Sequence, residues 1–515
     1  MTSQERFLAK AGAAANAVLL TGAVASALTF LFYVYRYGWR AERRFAGWQE
    51  VLVYYVVPAV LAGLLFAALR LKREHKINLA IVCVTLVLSL YAGELVVRLV
   101  EPNWRQAGLP VMLRLEKSSN KREMADRLAK QFGVEIDIRD RLQVITELRA
   151  KGIDAVPGVL PRYQLMFQKG DGKRGQPTGD ATTPQILALG GISNRMTVLC
   201  NESGRHLTYE SDEHGFRNPR GAWQSGSVDI VALGDSFTQG FCVPSGKYFV
   251  DIVRQRYPAT LNLGMAADGP LFMLSTLREY VPPLRPKLVL WFYFEGNDLL
   301  DLQDERRSAV LMSYLQDGFS QRLQRRQAEV DRALLDFVEK ERAWELENRR
   351  AALRNRRGVV GQLTDVLKLP VLRTRIGLMG GTTDEQAATV AKAKDLTVFR
   401  QILSNAKATV ASWGGTLYFV YLPNWSRFVK QESWDHFVEG QHENVIGVAR
   451  QLEIPVVDVL PAFRAQPDPM ALFPFRAPGH YTEDGHRLVA EEVLKAIATK
   501  VSQTNGAAPP TRPGG

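Results

Sequence analysis

Four positions, Ser236, Gly264, Asn297 and His480, hold the residue types that acyl transfer requires. A serine hydroxyl is a weak nucleophile until a nearby base takes its proton, and His480 can be that base. Attack on an ester carbonyl creates an oxyanion, which needs donors fixed in advance. The backbone N–H of Ser236, the backbone N–H of Gly264 and the side-chain amide of Asn297 can converge on one point. Glycine at 264 lets a backbone donor come close. Asparagine at 297 is a neutral donor that does not compete as a base. Taken singly, each of the four is an ordinary turn or surface residue. Their order along the chain, and what precedes each of them, gives them weight as a set.

Three of the four stand where an apolar run stops. "VDIVAL" ends at Gly234-Asp235-Ser236, "TLNLGM" contains Gly264, and "KLVLWFYF" runs into Gly296-Asn297-Asp298. "GTLYFVYL" and "IPVVDVL" are two further runs of the same kind. Between them "KYFVDIVRQRY", "FMLSTLREYV" and "DLTVFRQILSNAKATVASW" have helical spacing. Near-continuous apolar strands alternating with helices predict a parallel sheet covered on both faces. In such a sheet the site lies at the carboxyl ends of the strands. His480 stands just before a last amphipathic helix, with Thr482 as its expected N-cap.

This ordered set resembles the SGNH, or GDSL-type, hydrolase superfamily. Its four blocks are matched by Ser236 in "GDSFT", Gly264 in "NLGM", Asn297 in "GND" and His480 in "GHYTEDGH". The resemblance covers roughly residues 226–302 and 396–500. It implies a flavodoxin-like three-layer α/β/α fold, a Ser236–His480 ester chemistry, and an oxyanion hole from Ser236, Gly264 and Asn297. The motif is not the G-x-S-x-G elbow of α/β-hydrolases, because position 238 is threonine. There is one departure. The family carries an acid three residues before the histidine, and position 477 is alanine. Asp468 and Asp458 are the candidates to orient His480 in its place. A backbone carbonyl holding a Ser–His dyad is the other arrangement. His486 is a rival base, but it falls inside the last helix.

The chain has 515 residues, more than one ordinary core accommodates. Residues 1–100 contain three stretches free of charge, Ala11–Tyr35, Val51–Leu69 and Ile77–Gly93. About 20 apolar residues cross a bilayer, so three transmembrane helices are expected. The first runs too far through "LTFLFYVY" to be a cleaved signal. Flanking basic residues balance on the two sides and do not orient the spans. Three spans put the termini on opposite faces. With the N-terminus cytoplasmic, the soluble part is periplasmic or external, on an inner-membrane protein. Residues 101–225 form a mixed extension. Residues 303–395 are a charged helical insertion with an apolar stripe of Leu323, Val330, Leu334, Phe337 and Val338, read as packing one side on the core. Residues 501–515 are expected to be a disordered tail.

The net charge of +12 suits anionic headgroups or glycans. No recognition motif for nucleic acid accompanies it. No metal-ligand spacing or phosphate loop is present, so no cofactor and no metal are expected. Of three cysteines, Cys83 lies in the third span, and Cys200 and Cys242 are expected to pair if the soluble part is external. These readings point to a membrane-anchored serine hydrolase cleaving carboxylic esters, with acyl groups on an envelope glycan or lipid as substrate. An O-acyltransferase acting on a polysaccharide would use the same residues. A non-catalytic envelope assembly or binding module would keep only the fold.

Overall fold

The five apolar runs of the second half of the chain become five strands of one parallel sheet. In a computed structural model, residues 2–35, 51–100, 111–112, 115, 120–167, 186–224, 226–356, 385–429 and 432–506 are described. The chain divides into two units, Met1–Ala107 with Arg349–Ala393, and Gly108–Asn348 with Lys394–Gly515.

The second unit begins with a small sheet of β1 (Ala155–Pro157), β2 (Met196–Cys200) and β3 (Leu207–Glu210), in the order β1-β2-β3. β1 is parallel and β3 antiparallel to β2. The main sheet contains β4 (Ile230–Leu233), β5 (Thr260–Asn262), β6 (Leu288–Phe294), β7 (Thr416–Leu422) and β8 (Val456–Asp458). Its order is β5-β4-β6-β7-β8 and every pairing is parallel. This is the flavodoxin-like order, in which the chain leaves the first strand in one direction and returns on its other side. The crevice therefore opens between the carboxyl ends of β4 and β6.

Strand alternation explains why these runs lack polar positions. Val231, Leu233, Val289, Trp291, Tyr293, Phe419 and Tyr421 face one core. Ile230, Ala232, Leu290, Phe292, Val420 and Leu422 face the other. Side chains point to opposite faces with a period of two, so a sheet covered on both sides is apolar throughout. The first face is covered by helices Pro270–Tyr280, Glu385–Ala411 and Glu432–Gln451. The second is covered by Phe249–Arg256, Leu460–Arg464 and Glu483–Gly506. The result is the three-layer α/β/α arrangement. The stripe of the charged insertion behaves as expected. Leu323, Val330 and Leu334 are buried in the first core, with Phe337 and Val338 partly buried against it. The last helix continues to Gly506, so the boundary expected at 501 falls inside it, and residues 507–515 lie outside the described chain.

In the first unit the apolar segments are helical over Ser3–Tyr33, Leu52–Ala68 and Arg73–Val100. Among the described residues two helices, Ser3–Tyr33 and Arg73–Val96, are long and apolar enough to cross a membrane, while Tyr54–Ala68 is apolar but shorter. Leu19, Ala23, Leu65 and Ala68 pack together inside. Leu20, Leu64 and Leu88 stay 46%, 63% and 64% exposed, so this bundle is apolar outside as well as inside.

Candidate active site

Ser236 opens a one-turn helix, Ser236–Gln239, directly after β4. Asp235 caps that turn by accepting from the Phe237 N–H at 2.9 Å. The cap holds the first-turn N–H groups, among them that of Ser236, pointing out of the strand end. Asp235 is fully buried, and burial lifts its carboxyl to about 6 against hydrogen bonds from Phe237, Asn297 and Ser236.

His480 arrives from the far end of the chain, on the loop before the last helix. Thr482 starts that helix, accepting from the Gly485 N–H through its hydroxyl and from the His486 N–H through its carbonyl. Tyr481 anchors the loop by donating its hydroxyl to the Pro423 carbonyl at 2.6 Å. Phe237 and Phe241 flank the imidazole with ring centroids 4.7 Å and 4.6 Å away. His480 Nε2 lies 2.7 Å from Ser236 Oγ.

The other nitrogen of His480 meets a carboxylate that sequence reasoning did not select. His480 Nδ1 is 2.5 Å from Glu202 Oε2, and the His480 backbone N–H donates to the same oxygen at 3.2 Å. The side chains of His480 and Glu202 are only 20% and 11% exposed, so their interaction is poorly screened. Burial alone would lower the His480 pKa. The charge and hydrogen bond of Glu202, with Asp235 behind them, outweigh it and raise the pKa above its ordinary value. Gly479 is needed for this approach, because a Cβ there would stand 2.7 Å from Glu202 Oε1.

Asp458 and Asp468, the sequence-stated candidates for this role, are both occupied elsewhere. Asp458 pairs with His442 Nε2 at 2.8 Å and accepts from the Leu460 N–H. Asp468 pairs with Arg476. The bare dyad held by a backbone carbonyl is likewise replaced by a carboxylate. Ala477 explains the missing acid, since it is buried in an apolar cluster with Val111 and Leu128. Asp458→Asn and Asp468→Asn are therefore expected to keep ester turnover within about threefold of wild type. Steady-state kinetics of the two folded variants check this, and a loss near the 10⁴-fold of a wrong imidazole tautomer would return the role to an aspartate.

His486 is not a rival. It is fully buried, its Nδ1 accepts from the Phe249 N–H at 3.3 Å, and burial pushes its pKa down to about 3.

Gly264 lies on the loop after β5. Its N–H donates to Asn262 Oδ1 at 2.9 Å. A Cβ on it would lie 2.6 Å from the Thr238 Cβ, so glycine is required there for packing against the nucleophile turn. On the same loop Ala267 sits in the left-handed region, at φ 67°, and its N–H meets no acceptor among the described residues. Asn297 follows β6 as the N-cap residue of Asp298–Glu305. Its amide donates to Asp301 Oδ2 at 2.8 Å and also toward Asp235. Beside it, Glu295 and Arg427 form a buried pair, 2% and 3% exposed, that fastens the ends of β6 and β7 together. The arrangement can remove a proton from Ser236 through His480 and hold the resulting imidazolium against Glu202.

A family model described as "SGNH hydrolase-like domain, acetyltransferase AlgX" matches residues 382–514. Over that stretch the chain is similar to an SGNH hydrolase-like domain. The matched stretch includes His480, while Ser236, Asn297 and Glu202 precede it. No curated protein sequence matches the chain. Among solved structures, the lipase/acylhydrolase from Enterococcus faecalis aligns at 13% identity over 53% of this chain and 96% of that one, with TM-score 0.28. The psychrotrophic esterase EstA from Pseudoalteromonas sp. aligns at 8% identity over 54% and 100%, with TM-score 0.28. An acetyl xylan esterase, AlAXEase, aligns at 10% identity over 52% and 100%, with TM-score 0.27.

The acid could have been found from sequence through the cysteines. Cys200 and Cys242 form the expected disulfide, with Cα atoms 5.6 Å apart. Cys242 follows the nucleophile turn closely, so the bond brings the residues after Cys200 to the active site, and the first acid among them is Glu202.

Proposed function

We propose that this protein is a membrane-anchored serine enzyme acting on carboxylic esters, with Ser236 as nucleophile, His480 as general base and Glu202 as the acid that orients it. The observation that carries the reading is the continuous relay from Ser236 Oγ to His480 Nε2, at 2.7 Å, and from His480 Nδ1 to Glu202 Oε2, at 2.5 Å. A nucleophile bonded to a base, and the base bonded to an orienting carboxylate, is the geometry by which a triad is recognised whatever the sequence order. The oxyanion donors in this reading are the N–H of Ser236, the N–H of Gly264 and the Asn297 amide, the set that the motif gives. In the first step the Ser236 oxygen attacks the carbonyl carbon and its proton passes to His480. The leaving alcohol then takes that proton as the acyl–Ser236 ester forms.

Hydrolysis of the acyl-enzyme by water is the reading carried from the sequence, with an acylated envelope glycan or lipid as substrate. Transfer to a sugar hydroxyl is the second reading, favoured by the word acetyltransferase in the matching family's description. The apolar outer surface of the first unit supports anchoring, because contiguous apolar surface of this kind needs lipid or a partner to cover it. The disulfide supports a periplasmic or external site for the domain.

The deciding experiment supplies p-nitrophenyl acetate to the detergent-solubilised full chain, with and without a neutral oligosaccharide acceptor. The release of p-nitrophenolate reports acylation, and mass spectrometry of the sugar reports transfer. The expected result is release without acceptor and no acylated sugar. Release that requires the sugar, with acetyl appearing on it, establishes the transferase. Absence of release under both conditions rejects an acetyl-ester enzyme.

A further inference from the structure

Glu202 reaches the active site on a loop outside the main sheet, so something must hold that loop to the nucleophile. It follows β2, whose last residue is Cys200, and β2 belongs to the small three-stranded sheet. Three contacts join the loop to the segment after Ser236. The Cys200–Cys242 disulfide closes a separation of 42 residues. The Glu202 N–H donates to Cys242 Sγ at 3.0 Å, and the Ser203 hydroxyl donates to the Cys242 carbonyl at 3.3 Å. All three converge on Cys242. That residue sits at φ 61°, in the left-handed region that disfavours non-glycine residues. A conformation of this kind persists when the surroundings over-determine it.

The apolar packing around the bond is local. Leu199, Cys200, Tyr209 and Cys242 form a small cluster with Leu207 and Phe241, separate from the two cores that sandwich the main sheet. Phe241 in turn flanks His480. On its other side the Glu202 loop is tied to the extension, where Asn201 donates to the Asp137 carbonyl at 2.8 Å and the Asp137 N–H donates to the Gly204 carbonyl at 2.7 Å. Without the disulfide the loop keeps that outer attachment and loses its covalent link to the nucleophile side.

We infer that the Cys200–Cys242 disulfide is the positioning element that delivers Glu202 to His480, which makes the acid–base relay depend on the oxidation state of these two cysteines. The inference rests on the assignment of Ser236, His480 and Glu202 given above. The bond forms when the two thiols give two electrons and two protons to a disulfide-exchange oxidant in the compartment where the domain folds. It opens when a dithiol reductant returns them, leaving two cysteine thiols and an oxidised, cyclic reductant. A reducing environment then leaves the sheet and the Ser236–His480 contact in place and removes the acid.

The test compares four full-length proteins in detergent: wild type, Cys200→Ser/Cys242→Ser, Glu202→Gln, and the three changes combined. Turnover of p-nitrophenyl acetate is read across pH, and circular dichroism reports the fold. The paired cysteine variant is expected to lose about 10²-fold in kcat, the size of an active-site misplacement of about 1 Å. Its acidic pH limb moves in the same direction as that of Glu202→Gln. Adding Glu202→Gln to it costs little more, because residues in one network are not additive. Wild type reduced with dithiothreitol while still folded reproduces the same shift. Full turnover in the paired variant overturns the inference, as does an additive loss with an unmoved pH limb. Unfolding of both the paired variant and the reduced wild type also overturns it, since the bond would then hold the domain and not the acid. Ser236→Ala as a fifth protein separates the two readings. If it stays active, the catalytic assignment itself fails.

Discussion

Replacing Ser236 by alanine is expected to lower kcat for ester turnover by about 10⁴- to 10⁶-fold, with His480→Ala equally damaging. The reason is the 2.7 Å contact between Ser236 Oγ and His480 Nε2. The hydroxyl attacks only as His480 takes its proton, so removing either partner removes the covalent step. Ser236 is 8% exposed and its methyl replacement fits the same space, so the fold should be intact by circular dichroism. Losses of about 10⁴-fold correspond to about 5.5 kcal/mol of transition-state stabilisation. What remains would come from the oxyanion donors, which both variants keep. Burst kinetics with p-nitrophenyl acetate make the test specific, because wild type accumulates acyl–Ser236 and the alanine variant has nowhere to put the acyl group. A folded Ser236→Ala protein with near-wild-type turnover would falsify the serine mechanism.

Glu202→Gln is the second large effect, expected at about 10⁴-fold in kcat. Glutamine fills the same volume but carries no charge. It can present its amide N–H to His480 Nδ1, which leaves the proton on Nε2, where it blocks acceptance from Ser236. The pH dependence supplies an independent sign. His480 works as a base only when neutral. Burial lowers its pKa, and Glu202 raises it by more, so the net shift is upward. Activity in wild type should therefore fall, as pH drops, through a value above the ordinary histidine pKa of about 6.5. Removing the Glu202 charge leaves burial as the leading influence, and the acidic limb moves to lower pH. Residual activity measured from pH 5 to 9 reads both effects. A limb that stays in place would show that Glu202 does not face His480 in the working enzyme.

The sheet was legible because its chemistry is repetitive. A strand covered on both faces must be apolar at every position, so "KLVLWFYF" and "GTLYFVYL" announced β6 and β7 by composition alone. Ser236 and Asn297 stand in the turns after β4 and β6, at strand ends where a parallel sheet opens to ligands. The charged insertion was also readable, because Leu323, Val330 and Leu334 stand out from a polar background.

The acid was a matter for tertiary structure. Glu202 lies on a loop after β2 of the small sheet, and its distance from His480 depends on how that loop is laid against the nucleophile turn, which no local pattern records. Asp458 and Asp468 were chosen for nearness in sequence, but one meets His442 and the other Arg476. Gly264 shows the same limit on a smaller scale. Its N–H meets Asn262 Oδ1, a contact that its motif position does not record. Residue type and period fix what a segment can bury and where it must end. Which carboxylate faces which imidazole is set by contacts between segments far apart in the chain, here Glu202 and His480, and those exist only once the small sheet, the disulfide and the last loop have been brought together.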